Sequence, residues 1–295
     1  MTYLTRRALL CGTVLLPLVP AAETRAPSIE RLEMPEPYGA NADPLPIHLY
    51  RPSDWRPDGR VLIVMHGTNR DAQRYLGSWM VHAEPAGLLL VVPEFSKQKF
   101  PGRSYYNFGN VVDEKLQPRP REAWTFDVLD RVFAFVRQAT GAQRDSYSLY
   151  GHSAGAQFVH RYLLLAGASK ADLIVSANAG SYTLPLRDGV FPWGLKGTSA
   201  SDDDLARAFA RPVVVLLGEE DNDTGHRTLP SDEAARAQGP HRLARGHTFF
   251  HTAREVAAAM KVPFRWRLVT VPGIGHSDSG MAPAAVRLVV DAGRA

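Results

Sequence analysis

The 295-residue sequence contains a single cysteine, Cys11. Cys11 lies in a stretch that we predict to be removed as a signal peptide, so the mature chain would contain no cysteine. A structural disulfide, a thiolate metal site and a cysteine nucleophile are therefore excluded. A chain of this length can bury a core large enough to be stable without disulfides.

The sequence also lacks a block of basic residues, an internal repeat and a low-complexity tract. Its 34 Lys and Arg residues face 30 Asp and Glu residues, and the net charge of +4 is scattered along the chain. Nucleic-acid binding is therefore not expected. With 45% hydrophobic and 22% charged residues, the composition is typical of one large globular α/β domain.

The longest apolar run lies at the N-terminus and is too short to span a bilayer. It follows Arg6 and Arg7, continues through Val19, and ends near the small residue Ala21. We predict a signal peptide over 1–22, an exported protein, and a mature domain over 23–295 with no integral membrane segment. The paired arginines favour twin-arginine export, and general secretion is the alternative.

Short apolar runs alternate with helical patterns along the rest of the chain. The predicted strands include Ile47–Tyr50, Val61–Met65, Gly87–Val92, Tyr147–Tyr150, Leu173–Ser176, Val213–Leu217 and Trp266–Val271. Helices are predicted over 71–83, 122–138, 202 onwards, 241–260 and 282–292, with an extended lead-in over 22–46 and a loop over 95–120. This alternation predicts a mostly parallel central sheet covered by helices on both faces.

One turn carries a catalytic pattern: Gly151-His152-Ser153-Ala154-Gly155. A strand precedes it and a helix follows it, which is the context that a G-x-S-x-G nucleophile turn requires. Ser153 would stand at the tip with its hydroxyl exposed and the N-terminus of the helix beside it. The alternative is a glycine-rich turn in which Ser153 only caps the helix.

A serine nucleophile needs a base and an acid to orient that base. Among ten histidines, His276 combines a strand end, a glycine-rich approach and a following helix. Asp221 and Asp223 both follow the Val213–Leu217 strand, and we favour Asp221 because it lies three residues past Gly218. The chain order Ser153, Asp221, His276 is the order expected for this architecture.

Two pairs of residues have spacings that resemble those of metal ligands. His247 and His251 lie four residues apart on a predicted helix, but the glutamate of H-E-x-x-H is missing. The Asp221-x-Asp223 spacing lacks the glycine and the later glutamate of a calcium loop. We therefore predict no metal and no cofactor.

An oxyanion hole requires two donors. The backbone N–H of Ala154, which follows the serine, supplies one, and Thr68, in the loop after His66-Gly67, is predicted to supply the other. Such a donor contributes about 3–4 kcal/mol to stabilising the transition state.

These motifs together resemble the α/β-hydrolase superfamily. Within it, the layout is similar to secreted esterases related to polyhydroxybutyrate depolymerases and to feruloyl or acetylxylan esterases. The resemblance implies an eight-stranded, mostly parallel sheet and hydrolysis of a carboxylic ester through an acyl-enzyme. The mature chain departs from many of these esterases in lacking cysteine for disulfides.

The sequence thus predicts an exported serine esterase acting on a small-molecule or oligomeric ester, with its oligomeric state left open. The aromatic residues Tyr182 and Trp193, in an irregular segment, are candidate substrate contacts. The alternatives are an acyltransferase that uses the same triad, and a non-catalytic binding protein on a hydrolase scaffold.

Overall fold

The computed structural model describes residues 26–293, apart from positions 114, 116 and 169. The predicted signal peptide over 1–22 lies outside these residues. The strands of the described chain are β1 Ser28–Met34, β2 Leu45–Arg51, β3 Val61–Met65, β4 Leu89–Pro93, β5 Tyr147–His152, β6 Ala171–Ala177, β7 Val213–Gly218 and β8 Trp266–Val271. The helices are α1 Ala72–Ala83, α2 Gly102–Tyr105, α3 Val128–Thr140, α4 Ala154–Ala166, α5 Asp202–Phe209, α6 Glu233–Ala237, α7 Arg242–Ala259 and α8 Asp278–Asp291.

The eight strands form one sheet in the order β1-β2-β4-β3-β5-β6-β7-β8. The pairs β1–β2 and β2–β4 are antiparallel. All pairs from β4–β3 through β7–β8 are parallel. The predicted mostly parallel sheet of about eight strands is therefore confirmed.

The central strand β3 shows how the sheet divides the core. All five of its residues are buried, as a strand covered on both faces requires. Val61, Ile63 and Met65 pack on the face that carries α3, α4, α5 and α7. Leu62 and Val64 pack on the opposite face, against α1 and α8. Successive side chains alternate between the faces, so one apolar run supplies both core layers.

Three elements differ from the sequence prediction. β1 lies within the predicted lead-in; it is an edge strand whose Ile29 is 63% exposed, so its apolar residues give no buried pattern. The predicted 122–138 helix begins only at Val128, after a separate 3-10 turn at Arg121–Ala123. The last helix begins at Asp278, because the Ser277 side chain caps it by accepting the Gly280 N–H.

Ser201 and Asp204 cap the start of α5. The Ser201 hydroxyl accepts the N–H of Asp204, and the Asp204 carboxylate accepts the N–H of Ser201. This reciprocal pair satisfies donors that the first turn of a helix otherwise leaves free. In the portion of the chain that the structure describes, none of the helices has the length and apolar character to cross a membrane.

The start of α4 packs directly against the end of β3. A Cβ added at Gly155 would collide with the backbone of Met65 and lie 2.8 Å from the His66 carbonyl oxygen. Only glycine allows this approach, which brings the turn at Ser153 beside the loop that follows β3.

We expect Gly155→Ala to lower the free energy of unfolding by about 1–3 kcal/mol, because the methyl group meets rigid backbone. Gly77→Ala is the matched control, since Gly77 lies in α1 with open space around its Cα. That control should raise stability by about 0.5–1 kcal/mol, the usual gain of alanine over glycine in a helix. Urea unfolding followed by circular dichroism measures both; equal stability of the two variants would contradict the close contact.

Candidate active site

Ser153 occupies a strained turn between β5 and α4. Its backbone lies at φ 56° and ψ −111°, a conformation that non-glycine residues rarely adopt. The Ser153 N–H donates to the Ala177 carbonyl oxygen at 3.0 Å, which ties the turn to the end of β6. The residue is 9% exposed. The alternative of a helix-capping serine is not supported, since the Ser153 side chain makes no capping hydrogen bond.

The three residues predicted as a triad form one hydrogen-bonded chain. The Ser153 Oγ lies 3.1 Å from His276 Nε2, and His276 Nδ1 lies 2.8 Å from Asp221 Oδ2. They follow β5, β8 and β7 respectively, at the carboxyl edge of the sheet, where open α/β sheets place their sites. The neutral tautomer with hydrogen on Nδ1 donates to Asp221 and leaves Nε2 to accept the Ser153 hydroxyl.

The geometry also separates the two candidate acids. Asp221 is 2% exposed, and it holds His276. Asp223 is exposed, and its Oδ1 accepts the Gly225 N–H at 2.8 Å within the same loop. Moving two residues along the turn directs the side chain to solvent. The structure therefore places the favoured Asp221, and not Asp223, against the histidine.

Asn178, at the end of β6, fixes the two loops that carry Asp221 and His276. Its side chain accepts the Gly218 N–H at 2.9 Å and donates to the Gly275 carbonyl oxygen at 3.3 Å. Asn178 is fully buried and has a φ of 52°. Asn178 could not be identified from the sequence, because a single asparagine after a strand carries no pattern of its own.

Arg242 is a second residue that the sequence analysis did not identify. It is 1% exposed, and its guanidinium lies 3.5 Å from Asp221 Oδ1. The same guanidinium donates to Thr228 Oγ1 at 2.9 Å. Burial lowers the pKa of Arg242 and the charge of Asp221 opposes this shift, so each charge supports the other. Arg242 thereby connects the acid to the loop over the site.

His152, within the turn, supports the site without entering the hydrogen-bonded chain. Its ring lies 4.7 Å from the His276 ring, and its Nδ1 lies 3.1 Å from the Tyr75 hydroxyl. Burial, followed by the charges of His276 and Arg242, holds the pKa of His152 well below its usual range. His152 is therefore neutral and packs against the other ring.

The two predicted oxyanion donors border the serine. Ala154 is the first residue of α4, so its N–H has no partner within the helix. Thr68 lines both cavities that border Ser153. The preceding loop is anchored at His66, which accepts the Phe95 N–H through Nε2. His66 therefore has a structural role in holding this loop.

The predicted aromatic contacts with substrate need correction. Tyr182 is fully buried and stacks on Phe249 at 4.5 Å, so its ring belongs to the core. Trp193 is partly buried and lines neither cavity beside Ser153. The Tyr182 ring also contacts His160 of α4, at a centroid distance of 5.1 Å.

Two connected cavities of about 330 and 380 Å³ meet at Ser153. The loop from His226 to Asp232 contributes to the walls of both cavities. This contribution was not predicted from the sequence. The predicted loop over 95–120 contributes Arg103 and Asn107 to the second cavity. The site is therefore an open, polar cleft rather than an aromatic tunnel.

No group of three or more metal-ligating side chains is placed to hold an ion in the chain as described. The rings of His247 and His251 lie 6.0 Å apart on α7, away from Ser153.

Solved structures resemble the chain over most of its length. Poly(aspartic acid) hydrolase-1 of Sphingomonas sp. KT-1 is 38% identical, with a TM-score of 0.84, over 90% of this chain and 99% of that one. The poly(3-hydroxybutyrate) depolymerase LpqC of Bordetella parapertussis is 36% identical, with a TM-score of 0.83, over 90% of each chain. No protein-family model and no curated protein matches the sequence.

A more distant structure shares the fold alone. The fluorophosphonate-binding serine hydrolase FphF of Staphylococcus aureus is 15% identical, with a TM-score of 0.58, over 91% of this chain and 99% of that one. The sheet order and its helical layers are those of the α/β-hydrolase fold. At 36–38% identity, the chain belongs to the α/β-hydrolase fold serine hydrolases, close to the depolymerase and the poly(aspartic acid) hydrolase. The predicted fold and family resemblance are confirmed.

We expect acid to destabilise the protein through its buried histidines. Burial lowers the pKa of His66 to about 3 and holds those of His152 and His160 well below the usual range. Below about pH 6.5 these histidines bind protons in the unfolded chain but stay neutral in the folded chain. Each histidine therefore lowers the free energy of unfolding by up to about 1.4 kcal/mol per pH unit.

One carboxyl acts in the opposite direction. Burial raises the pKa of Asp278 to about 6, so the folded state gains a proton before the unfolded state does as the pH falls. The stabilisation from Asp278 offsets about as much free energy as one of the three histidines removes. The free energy of unfolding should therefore still fall by several kcal/mol between pH 7 and 5. Urea titrations across this range measure it, and a constant or rising free energy on acidification would contradict the prediction.

Proposed function

We propose that the protein is a serine hydrolase that cleaves carboxylic esters through an acyl-enzyme. The observation that carries this proposal is the continuous chain from Ser153 through His276 to Asp221, opening into a cleft. A hydroxyl alone is a weak nucleophile at neutral pH, and this arrangement supplies the base that it lacks.

In the first half of the reaction, Ser153 Oγ attacks the ester carbonyl carbon while His276 Nε2 takes the hydroxyl proton. Asp221 stabilises the imidazolium that forms. The N–H groups of Ala154 and Thr68 donate to the oxyanion. His276 then gives the proton to the departing alcohol oxygen, which leaves Ser153 acylated.

In the second half, water replaces the alcohol. His276 takes a proton from the water, whose oxygen attacks the acyl carbon, and returns the proton to Ser153 Oγ as the acid departs. No cofactor enters this sequence. An alcohol in place of water would make the same site an acyltransferase, so product analysis must accompany rate measurements.

The proposed substrate is an ester polymer or its oligomers. LpqC, at 36% identity, is a poly(3-hydroxybutyrate) depolymerase. An open cleft accommodates a chain that continues beyond the scissile bond. We also propose that the protein is exported, on the basis of the signal-peptide pattern over 1–22.

A second candidate is hydrolysis of an amide-linked polymer. The relative at 38% identity is a poly(aspartic acid) hydrolase. The same serine chemistry cleaves amides, with the proton passing to the leaving nitrogen. Parallel assays on poly(3-hydroxybutyrate) oligomers and poly(aspartic acid), with identification of the released ends, separate the two.

We expect Ser153→Ala to lower kcat/KM on short and long p-nitrophenyl esters by about a thousandfold or more, since only binding and oxyanion effects remain. Circular dichroism checks that the variant is folded. Equal rates in the variant and the wild type would exclude Ser153 as the nucleophile.

Asp221→Asn and Asp223→Asn form a matched pair, two residues apart in one loop. Asp221→Asn should lower kcat by about a thousandfold or more, because the amide cannot stabilise the charged imidazole. Asp223→Asn should leave kcat within about twofold, because Asp223 only accepts the Gly225 N–H. Comparable losses in both variants would refute the assignment of the acid.

A further inference from the structure

The walls of the cleft carry an excess of arginine. Arg70 and Arg74 line the first cavity, Arg103 lines the second, and Arg227 lines both. All four therefore border the space in which a substrate bound at Ser153 would lie. Their guanidinium groups are cationic at neutral pH.

Two of these arginines, Arg103 and Arg227, form neither an ion pair nor a side-chain hydrogen bond with the residues that the structure describes. Both are exposed. Arg74 is paired with Asp71 at 3.6 Å, and Arg70 donates to carbonyl oxygens such as that of Gly102. The charges of Arg103 and Arg227 therefore remain available to a ligand.

A buried positive charge lies behind the wall of the second cavity. Arg161 is fully buried and donates to the carbonyl oxygens of Asn107 and Gln157, two residues of the cavity wall. Within the described chain it meets no carboxylate. Burial, followed by the charge of Arg103, lowers the pKa of Arg161 to about 9, so it stays cationic at neutral pH.

A second buried positive charge lies behind the part of the cavity wall that contains Pro230. Arg245 is 1% exposed and donates to the carbonyl oxygens of Pro230, Gly180 and Gly239. Pro230 is part of the cavity wall. Arg245 forms no ion pair with a described carboxylate, and the charge of the nearby Asp232 favours its cationic form. Buried charges are screened much less than exposed ones, so both buried arginines raise the potential in the cavity.

The acids of the cleft cancel only part of this charge. Asp232 lines the second cavity and keeps its negative charge while its carboxylate accepts the Ala235 N–H as the cap of α6. Asp278 lines the first cavity, and burial raises its pKa to about 6, so it is mostly ionised at neutral pH. Arg242 and Asp221 neutralise each other and leave the balance unchanged. The arginines without an ion pair still outnumber Asp232 and Asp278.

We infer that the second cavity binds a carboxylate of the substrate, so that the enzyme prefers esters carrying a negative charge near the scissile bond. Arg103 and Arg227 contact this carboxylate, and the buried Arg161 and Arg245 attract it. The inference rests on the proposed function for the reaction itself. It adds a charge requirement that ester hydrolysis alone does not imply.

Two pairs of esters test the charge on either side of the bond. Mono-4-nitrophenyl adipate and 4-nitrophenyl hexanoate differ by a carboxylate on the acyl part. 4-Acetoxybenzoate and its methyl ester differ by a carboxylate on the alcohol part. In at least one pair, we expect kcat/KM to be about tenfold or more higher for the anion. The preference should weaken as salt screens the charges.

Arg103→Gln and Arg227→Gln should each lower the anion-to-neutral ratio of kcat/KM by about fivefold, and the double variant should lower it further. The ratio is the readout because a loss common to both esters cancels. Arg254→Gln is the matched control, since Arg254 is exposed on α7 and lines neither cavity. It removes the same charge and should leave the ratio unchanged.

A preference for the neutral ester in both pairs, or ratios that do not respond to Arg103→Gln and Arg227→Gln, would overturn the inference. Binding of the same esters to the Ser153→Ala protein, measured by calorimetry, gives the comparison without turnover. Selective binding of the anion without hydrolysis by the wild type would refute the proposed function and leave charge selection supported. Hydrolysis of both esters at equal rates would support the proposed function and refute charge selection.

Discussion

The site depends on how closely the start of α4 approaches the end of β3. At Gly155 the two backbones touch, and no side chain fits between them. The contact sets the N-terminus of the helix beside the loop containing Thr68, so the two proposed oxyanion donors, Ala154 and Thr68, lie on adjacent backbone. It also explains the strained φ of 56° at Ser153, since the chain must turn sharply from strand to helix.

The opposite side of the cleft depends on a second backbone contact, between the loops after β7 and β8. A Cβ at Gly218 would collide with the Ile274 carbonyl group, and the Glu220 N–H donates to that oxygen at 2.9 Å. Asn178 ties both loops to β6. The 2.8 Å contact between Asp221 and His276 is therefore held by main-chain packing, and the two side chains need little adjustment to meet.

Buried arginines near the cleft contribute to a positive electrostatic potential around Ser153. Removing a guanidinium from water costs free energy unless hydrogen bonds or an opposite charge replace the hydration. Arg242 is compensated by Asp221, whereas the hydrogen bonds of Arg161 and Arg245 go to neutral oxygen atoms, such as those of backbone carbonyl groups and of the Thr183 hydroxyl. Neutral acceptors satisfy the donors without cancelling the charge. The packing of α4 and α7 thus maintains a positive potential beside Ser153 that the modest net charge does not suggest.

The sequence by itself determined the sheet, the serine turn and the order of Ser153, Asp221 and His276, because buried strands and tight turns leave local patterns. Only the tertiary structure separated Asp221 from Asp223, since two residues along one loop reverse a side chain's direction. It also moved Tyr182 into the core and brought the loop from His226 to Asp232 over the cleft. Those outcomes depend on which distant elements a loop contacts. Such contacts join residues far apart in the chain, as Asn178 and Gly275 do, and no local sequence pattern records them.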